Sequence, residues 1–409
     1  MRGPFPLGVD RRKTEEQKRM SRLLVNPKYP IIVHSHLAWD WVWQRPQQFL
    51  SRLSIRHPIL FVEGPVPDPA IEKARYEIRE VPEFPNVIVL RMAMPGARWF
   101  DGSWVDEERR RLVKEVLAGP LGSRFEDPVQ WFYDPMAVTA FAGKMNERCI
   151  VYDCMDQLSQ FRGAPKELVN RERELLRVAD VVFAGGPKIE VEKRKQNANT
   201  HFYGCGVDVK HFGSAQDETI DLPPEMAQFP RPIYGFFGVV DERMDYELLR
   251  RLADDNAGGS VVLVGPWTKV DPSEFPKRAN LHFLGGRDYK DLPRYAAAFD
   301  VCLVPFALNE ATEYVNPTKV LEYMATGRPV VTTPIEDVVL QFSEALEIGW
   351  SHEEFCAHCK RAARDPDREK IVRSLELAAK NTWDAVVKSL ERDIELFLAS
   401  AKPMRVMAG

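Results

Sequence analysis

No stretch of this 409-residue chain approaches the ~20 consecutive apolar residues that cross a bilayer. The opening residues, MRGPFPLGVDRRKTEEQKRMSRLL, lack the apolar centre of a secretory leader. Neither sign of charge dominates. Lys and Arg total 56 against 60 Asp and Glu, and a net charge of −4 gives no general attraction for nucleic acid. Cysteine is scarce: six residues, dispersed and mostly within apolar runs, which is the pattern of reduced cytosolic thiols and not of a disulfide framework. The one close pair, in SHEEFCAHC, sets His352, Cys356 and Cys359 at ligand-like spacing, but no second cluster completes a metal site; a polar helix with two small apolar residues explains the run equally well. The GxxxxGK[ST] loop of P-loop kinases and ATPases is missing. So is a dinucleotide fingerprint: GFFG (235–238) lacks the three-glycine spacing, and GCGVDV (204–209) lacks the third glycine and opens no helix.

What the chain does have is alternation. Short apolar runs such as PIIVHSH, ILFVEGP, NVIVLRM, VQWFYD, CIVYDCMD and VVFAGG are separated by helical stretches such as RPQQFLSRLS and ELVNRERELLRVAD. Strands with few polar positions between helices predict an α/β protein with parallel sheets covered on both faces. Residues 207–231 break the pattern with Pro, Gly and acidic residues, and it then restarts with IYGFFGVV, SVVLVGP, LHFLGG and DVCLVPF. The length also favours two cores over one. The expected organisation is an N-terminal arm (1–26), a Rossmann-like domain (27–210), a linker (211–231), a second Rossmann-like domain (232–382) and a closing helical segment (383–409) packed back on the first domain. Such sheets bind ligands outside the carboxyl ends of their strands. Attention therefore falls on the loops after IIVHSH, QWFYD, IVYDCMD, FFGVV and VVLVGP, and on 305–319.

NPTKVLEYMATGRPVVTT (316–333) reads as a buried helix running into a buried strand, yet it keeps Lys319 in its first turn and Glu322 among apolar neighbours. With Asn316 as N-cap and Pro317 as first helical residue, the free N–H groups at Thr318 and Lys319 form a ready anion site. Glu322 lies ~4.5 Å further along the axis. A nucleoside diphosphate, with ribose next to its phosphates, matches that layout. So does a plain helix start whose Glu322 pairs with Lys319.

The same segment, placed after DVCLVPF, resembles the donor-binding segment of GT-B glycosyltransferases of the family-4 type. The likeness extends to YGFFGVVDERMDYELL, VVLVGP, NLHFLGGRDYKDLPRYAAAFDVCLVPF and LLRVADVVFAGG. HSHLAWDWVWQRPQQFLSRL with VYDCMDQLSQF resembles a bacterial subgroup tied to cell-surface polysaccharides of the teichuronic-acid kind. The resemblance implies a GT-B fold, with two Rossmann-like parallel-sheet domains facing each other across a cleft. It also implies an acceptor domain first and a nucleotide-sugar donor domain second. Glu322 is expected on the donor ribose. The implied reaction moves a hexose-type sugar, with retention, from a UDP- or GDP-linked donor to a glycan, lipid-linked or small-molecule acceptor. No further cofactor or metal is required, and the expected place is the cytoplasm or the inner membrane face, with peripheral membrane association. A non-catalytic partner subunit and a nucleotide-sugar epimerase are the competing expectations.

The chain departs from the family pattern in two places. Where the family's first glutamate is expected stands Tyr314, with Glu310 and Glu313 close by as substitutes; the basic pair after the first donor-domain strand is reduced to Arg243. The candidate catalytic residues are Asp156, Glu310 and Glu313. The candidate donor-binding residues are Gly238, Arg243, Gly265, Asn316, Thr318, Lys319 and Glu322. Asp156 suits sugar hydroxyls or a base, and equally a helix cap; Asp134 is a weaker case of the same kind. His34 and His36 read as strand-end residues. Trp39, Trp41 and Trp43 suit sugar stacking at a cleft mouth, or packing on the adjoining helix, which is expected of at least two of them. Arg45 suits an anionic acceptor.

Overall fold

The computed structural model describes residues 29–161, 163–310 and 312–400; the expected N-terminal arm lies outside them. Strands such as Ile31–Ser35, Ile59–Glu63, Cys149–Cys154, Ile233–Phe237 and Ser260–Val264 are buried along their whole length. Their β-branched and aromatic side chains need apolar cover on both faces, and helices supply it.

The first sheet has nine strands. Its spatial order is Val66–Asp68, Val87–Pro95, Ile59–Glu63, Ile31–Ser35, Val129–Phe132, Cys149–Cys154, Val181–Ala184, Thr200–Phe202, and Arg75–Glu80 lies against Val87–Pro95. All pairings are parallel except that of Arg75–Glu80, whose residues are all exposed or half-buried. This strand was not expected from the sequence. RYEIRE carries charge at four of six positions, the mark of an edge strand left half in water. Ile32, Leu60 and Val62 face one apolar layer, and Ile31, Val33, Ile59 and Phe61 the other. The second sheet is all parallel, in the order Leu281–Phe283, Ser260–Val264, Ile233–Phe237, Val301–Val304, Val330–Thr332, Glu347–Ile348. In each sheet the order reverses beside the first strand of the domain, at Ile31–Ser35 and at Ile233–Phe237, and these are the topological switch points where ligands are bound.

Residues 211–231 are packed on the second domain: Phe212, Ala215, Met226 and Phe229 enter its core, and the Gln216 amide donates to the Ala325 carbonyl at 3.0 Å. The helix Trp383–Ser400 returns to the first domain, where Trp383, Val387, Leu390 and Ile394 are buried. Arg52–Asp384 (2.9 Å) and His57–Glu391 (2.6 Å) flank that contact. The two crossings of the chain between domains touch each other. Val207 N–H donates to the Asn381 carbonyl at 2.9 Å, and a Cβ on Gly206 would lie 2.6 Å from the Trp383 nitrogen.

His352 turns to Asp245 at 2.8 Å, while Cys356 and Cys359 are buried in the second core, so the three do not converge as metal ligands. Among the described residues no helix is long and apolar enough to cross a membrane.

Candidate functional site

A cavity of about 560 Å³ opens between the two sheets, lined from one side by Asp40–Arg45, Met155, Asp156 and Cys205, and from the other by Phe237–Val239, Arg243, Val264–Pro266, Gly286–Tyr289, Leu292, Val315–Lys319 and Glu322. These are mostly loops that follow strand carboxyl ends, as parallel sheets dictate.

The helix Thr318–Ala325 presents its amino end to this cavity. Val320, Leu321, Tyr323 and Met324 are buried, and Tyr323 Oη both accepts from Phe237 N–H (2.8 Å) and donates to the Phe237 carbonyl (3.0 Å), fixing the helix to the switch-point strand. The cap differs from expectation. Pro317, in extended conformation, is the N-cap, no side chain caps the helix, and Thr318 is its first residue. Asn316 has instead been recruited across the cleft: its Nδ2 donates to the Gly185 carbonyl at 2.9 Å and its Oδ1 accepts from Gln341 at 3.2 Å. A helix normally gains about 1 kcal/mol from an asparagine cap, and here a contact between domains takes that side chain. Of the first-turn N–H groups, that of Val320 donates to the Pro317 carbonyl at 3.1 Å, while those of Thr318 and Lys319, two residues that line the cavity, have no acceptor within the helix.

Thr318 Oγ1 donates to Cys205 Sγ at 2.9 Å. Lys319 and Glu322 both line the cavity, and among the described residues no carboxylate forms an ion pair with the Lys319 ammonium, which lies 5.6 and 5.7 Å from the ring centroids of Phe306 and Phe236. Burial, and then the Arg243 charge, push the Lys319 pKa down, partly opposed by Glu322; burial pushes the Glu322 carboxyl up, partly opposed by Lys319. Gly238 and Gly265 bring the backbone close. Both have positive φ (+143° and +156°); a Cβ on Gly238 would stand 2.4 Å from Lys319 Cε, and one on Gly265 1.8 Å from the Gly238 oxygen. Arg243 is gripped by Asp241 through its Nε (2.9 and 3.1 Å) and Nη2 (2.7 Å) and lies near the rings of Phe161 and Phe306.

From the opposite wall comes Asp156. Burial pushes its carboxyl up to about 6, against the pull of Arg243, Arg45 and Lys319. Glu310 and Glu313 do not join the cavity lining. Glu310 is exposed, and Glu313, also exposed, pairs with Lys188 of the first domain at 3.0 Å; Lys188 also lies over the Tyr314 ring. Arg45 is at the cavity but committed to the buried Asp153 at 2.9 Å and to the Tyr203 carbonyl at 2.6 Å, so it is not free for an anionic acceptor. Asp134 accepts from Met136 N–H at 2.9 Å as the cap of a short turn. His34 is fully buried against Phe141, and burial takes its pKa down to about 3. Trp39 is buried, Trp43 is half-buried against Phe84, and Trp41 is 49% exposed on the cavity wall. The sequence reading did not single out Cys205 or the Gly286–Tyr289 loop. The loop follows the strand Leu281–Phe283, the same strand-end signal that marked the others, whereas nothing local marks Cys205.

Two parallel sheets, each with its switch point turned to a shared cavity, make this a GT-B fold. Sucrose-phosphate synthase from Thermosynechococcus elongatus shares it, with a TM-score of 0.68 at 17% identity over 91% of this chain and all of that one. An Escherichia coli trehalose-6-phosphate structure bound with UDP-2-fluoro glucose has a TM-score of 0.63 at 14% identity, over 90% of this chain and 99% of the other. Residues 242–364, within the second domain, match the family model described as Glycosyl transferases group 1. Among curated proteins, the "putative teichuronic acid biosynthesis glycosyltransferase TuaH" of Bacillus subtilis (strain 168) is 25% identical over 205 residues; the match takes in 45% of this chain and half the length of that relative.

Proposed function

We propose that this protein is a glycosyltransferase that moves a hexose-type sugar from a nucleoside-diphosphate donor, UDP- or GDP-linked, to a glycan, lipid-linked or small-molecule acceptor held by the first domain. One observation carries the reading. Lys319 sits buried at a helix amino end with no carboxylate paired to it among the described residues, beside the charge of Arg243. Burial and the neighbouring Arg243 charge make the Lys319 ammonium costly, and Glu322 offsets that only in part; a diphosphate would meet the ammonium and the helix N–H groups together, with Arg243, held by Asp241, adding its charge from beside them. Glu322, further along the same helix and with no hydrogen bond among the described residues, would accept from the ribose hydroxyls.

In the mechanism this supports, the helix end, Lys319 and Arg243 stabilise the negative charge that grows on the leaving diphosphate. Thr318 N–H and the backbone beside Gly238 and Gly265 approach the phosphates closely. Asp156, on the facing wall, accepts a hydrogen bond from, or a proton of, the incoming acceptor hydroxyl. Asn316 acts one step back, tying the donor helix to Gly185 of the acceptor domain. Retention at the anomeric carbon is carried over from the family-4 resemblance. The curated relative supports glycosyl transfer, and the neighbour bound with UDP-2-fluoro glucose supports the donor class.

Calorimetric titration with UDP and with GDP tests the donor site. One nucleotide is expected to bind, and Glu322→Ala and Lys319→Ala should each weaken it at least tenfold, about 1.4 kcal/mol. Equal affinity in both variants and wild type would remove the assignment. Glu310 and Glu313 lie outside the cavity lining, which favours a second reading, that of a nucleotide-binding partner subunit without turnover. Nucleotide binding with neither donor hydrolysis nor transfer would select it.

A further inference from the structure

We infer that Trp41, with the Asp40–Arg79–Arg91 group beside it, forms an acceptor subsite that takes a pyranose ring, so that the acceptor presents a sugar to this wall and not only a lipid or a small aglycone. The inference rests on the glycosyltransferase reading for its reaction, but the subsite has its own geometry.

The loop after Ile31–Ser35 is anchored on both sides of Trp41. Trp39 is buried edge-on to Phe61 (5.2 Å), its N–H donates to Glu63 at 2.9 Å, and Gln47 holds its carbonyl at 3.0 Å. Trp43 stacks on Phe84 at 5.7 Å. The Trp41 N–H closes the turn onto the Ala38 carbonyl at 3.2 Å. Two of three alternate tryptophans thus supply packing, and they hold the third half-exposed on the cavity, where among the described residues no other ring stacks on it. Packing alone gives no reason for an indole to face an open cavity that charged and polar side chains also line.

Next to it the Asp40 carboxylate also lines the cavity, and both its oxygens are engaged: Arg79 Nη2 at 2.7 and 2.9 Å, Arg91 Nη2 at 2.5 Å. Arg91 is in turn held by Glu63 at 3.1 Å, which ties one of the two guanidiniums to a second carboxylate. An exposed indole on a turn anchored at both ends, joined in the same lining by a carboxylate paired with two guanidiniums, offers what a pyranose offers in return. Its axial C–H face lies on the ring, and its equatorial hydroxyls meet fixed acceptors and donors at the rim. The two arginines are balanced by Asp40 and Glu63, which suits a neutral sugar at least as well as a uronate. The subsite belongs to the first domain, and Lys319 and Glu322 face it from the second; a ring stacked on Trp41 therefore stands on the acceptor side of the transferred sugar.

The test is saturation-transfer NMR with four soluble probes, the methyl pyranosides of glucose, galactose, N-acetylglucosamine and glucuronic acid, each with and without UDP. Wild type should give transfer to the ring C–H protons of at least one probe. Trp41→Ala should cut that signal about tenfold, Trp41→Phe should keep most of it, and UDP affinity should stay within twofold in both. Absence of transfer from all four probes in wild type, or an undiminished signal in Trp41→Ala, overturns the subsite. If only an acyl-chain probe (decanol micelles) responds to Trp41→Ala, the wall is a lipid contact and the proposal fails. Failure of both UDP and GDP to bind anywhere, with Trp41-dependent pyranoside binding intact, would sink the donor reading and leave the subsite standing.

Discussion

Asp156 shows how one side chain ties stability to chemistry. Its carboxyl is pushed up to about 6 by burial, from an ordinary value near 3.8. Between about pH 4 and pH 6 the folded protein therefore binds more protons at this group than the unfolded chain, and stability falls as pH rises through that window and stays lower above it. Asp156→Asn removes the burden. The variant should be more stable than wild type at pH 8, by on the order of 1 kcal/mol, with the gap closing at about pH 4; urea unfolding at the two pH values measures it. The proposed role makes the opposite demand. The wild-type transfer rate should climb through about pH 6 as the carboxylate forms, and the asparagine variant should be slow and flat over the same range. A variant that is both more stable and as active as wild type would leave Asp156 with no part in the reaction.

At the scale of elements, the donor-side wall depends on how closely three backbones approach: the turns at Gly238 and Gly265 and the helix start at Thr318. Gly265 and Gly238 give distinct expectations, because what a methyl would meet differs. On Gly265 it would strike a backbone oxygen at 1.8 Å, at φ +156°, and no rotamer change relieves that. Gly265→Ala should lose about 2 kcal/mol or more in denaturant unfolding and lose nucleotide binding with it. On Gly238 the methyl would strike the flexible Lys319 side chain at 2.4 Å. Gly238→Ala should cost less stability but displace the lysine, so calorimetry should find nucleotide affinity falling out of proportion to stability. The helix start itself carries a lesson about reading sequence. Asn-Pro-Thr is a sound cap signal, and local preference put Asn316 at the cap. A cap is worth only about 1 kcal/mol, and Asn316 instead makes two hydrogen bonds, to the Gly185 carbonyl and from Gln341.

At the scale of the molecule, the two domains are joined by two crossings that are bonded to each other, and the helix after the second crossing is part of the first domain's core. Trp383 is wholly buried there, edge-on to Phe49 at 5.6 Å. Trp383→Ala should cost the first domain about 3–5 kcal/mol and leave the second nearly untouched. Hydrogen exchange read by mass spectrometry should then show faster exchange along 383–400 and the first sheet, with Ile233–Phe237 and its neighbours unchanged. Uniform acceleration over both domains would mean that they unfold as one unit.

The alternation of wholly apolar strands with helices was enough to read an α/β fold with two parallel sheets, because a strand buried on both faces has little choice of composition. It also pointed to the strand-end loops, since sheet polarity alone puts them at the cleft. Lys319 and Glu322 could be marked for the same reason: a charge in a helix otherwise bound for the core needs a partner, and the local sequence offered too few. Which long-range partner a side chain finds was decided only by the tertiary structure. Arg45 met Asp153, 108 residues away, and Asn316 met Gly185. Glu313 met Lys188 of the other domain, and of three tryptophans in one turn Trp39 was buried, Trp43 half-buried at the cavity, and Trp41 left exposed there. Local patterns record how much of a residue must be buried, but the direction in which it is buried depends on chain segments that come together only when the two sheets face each other.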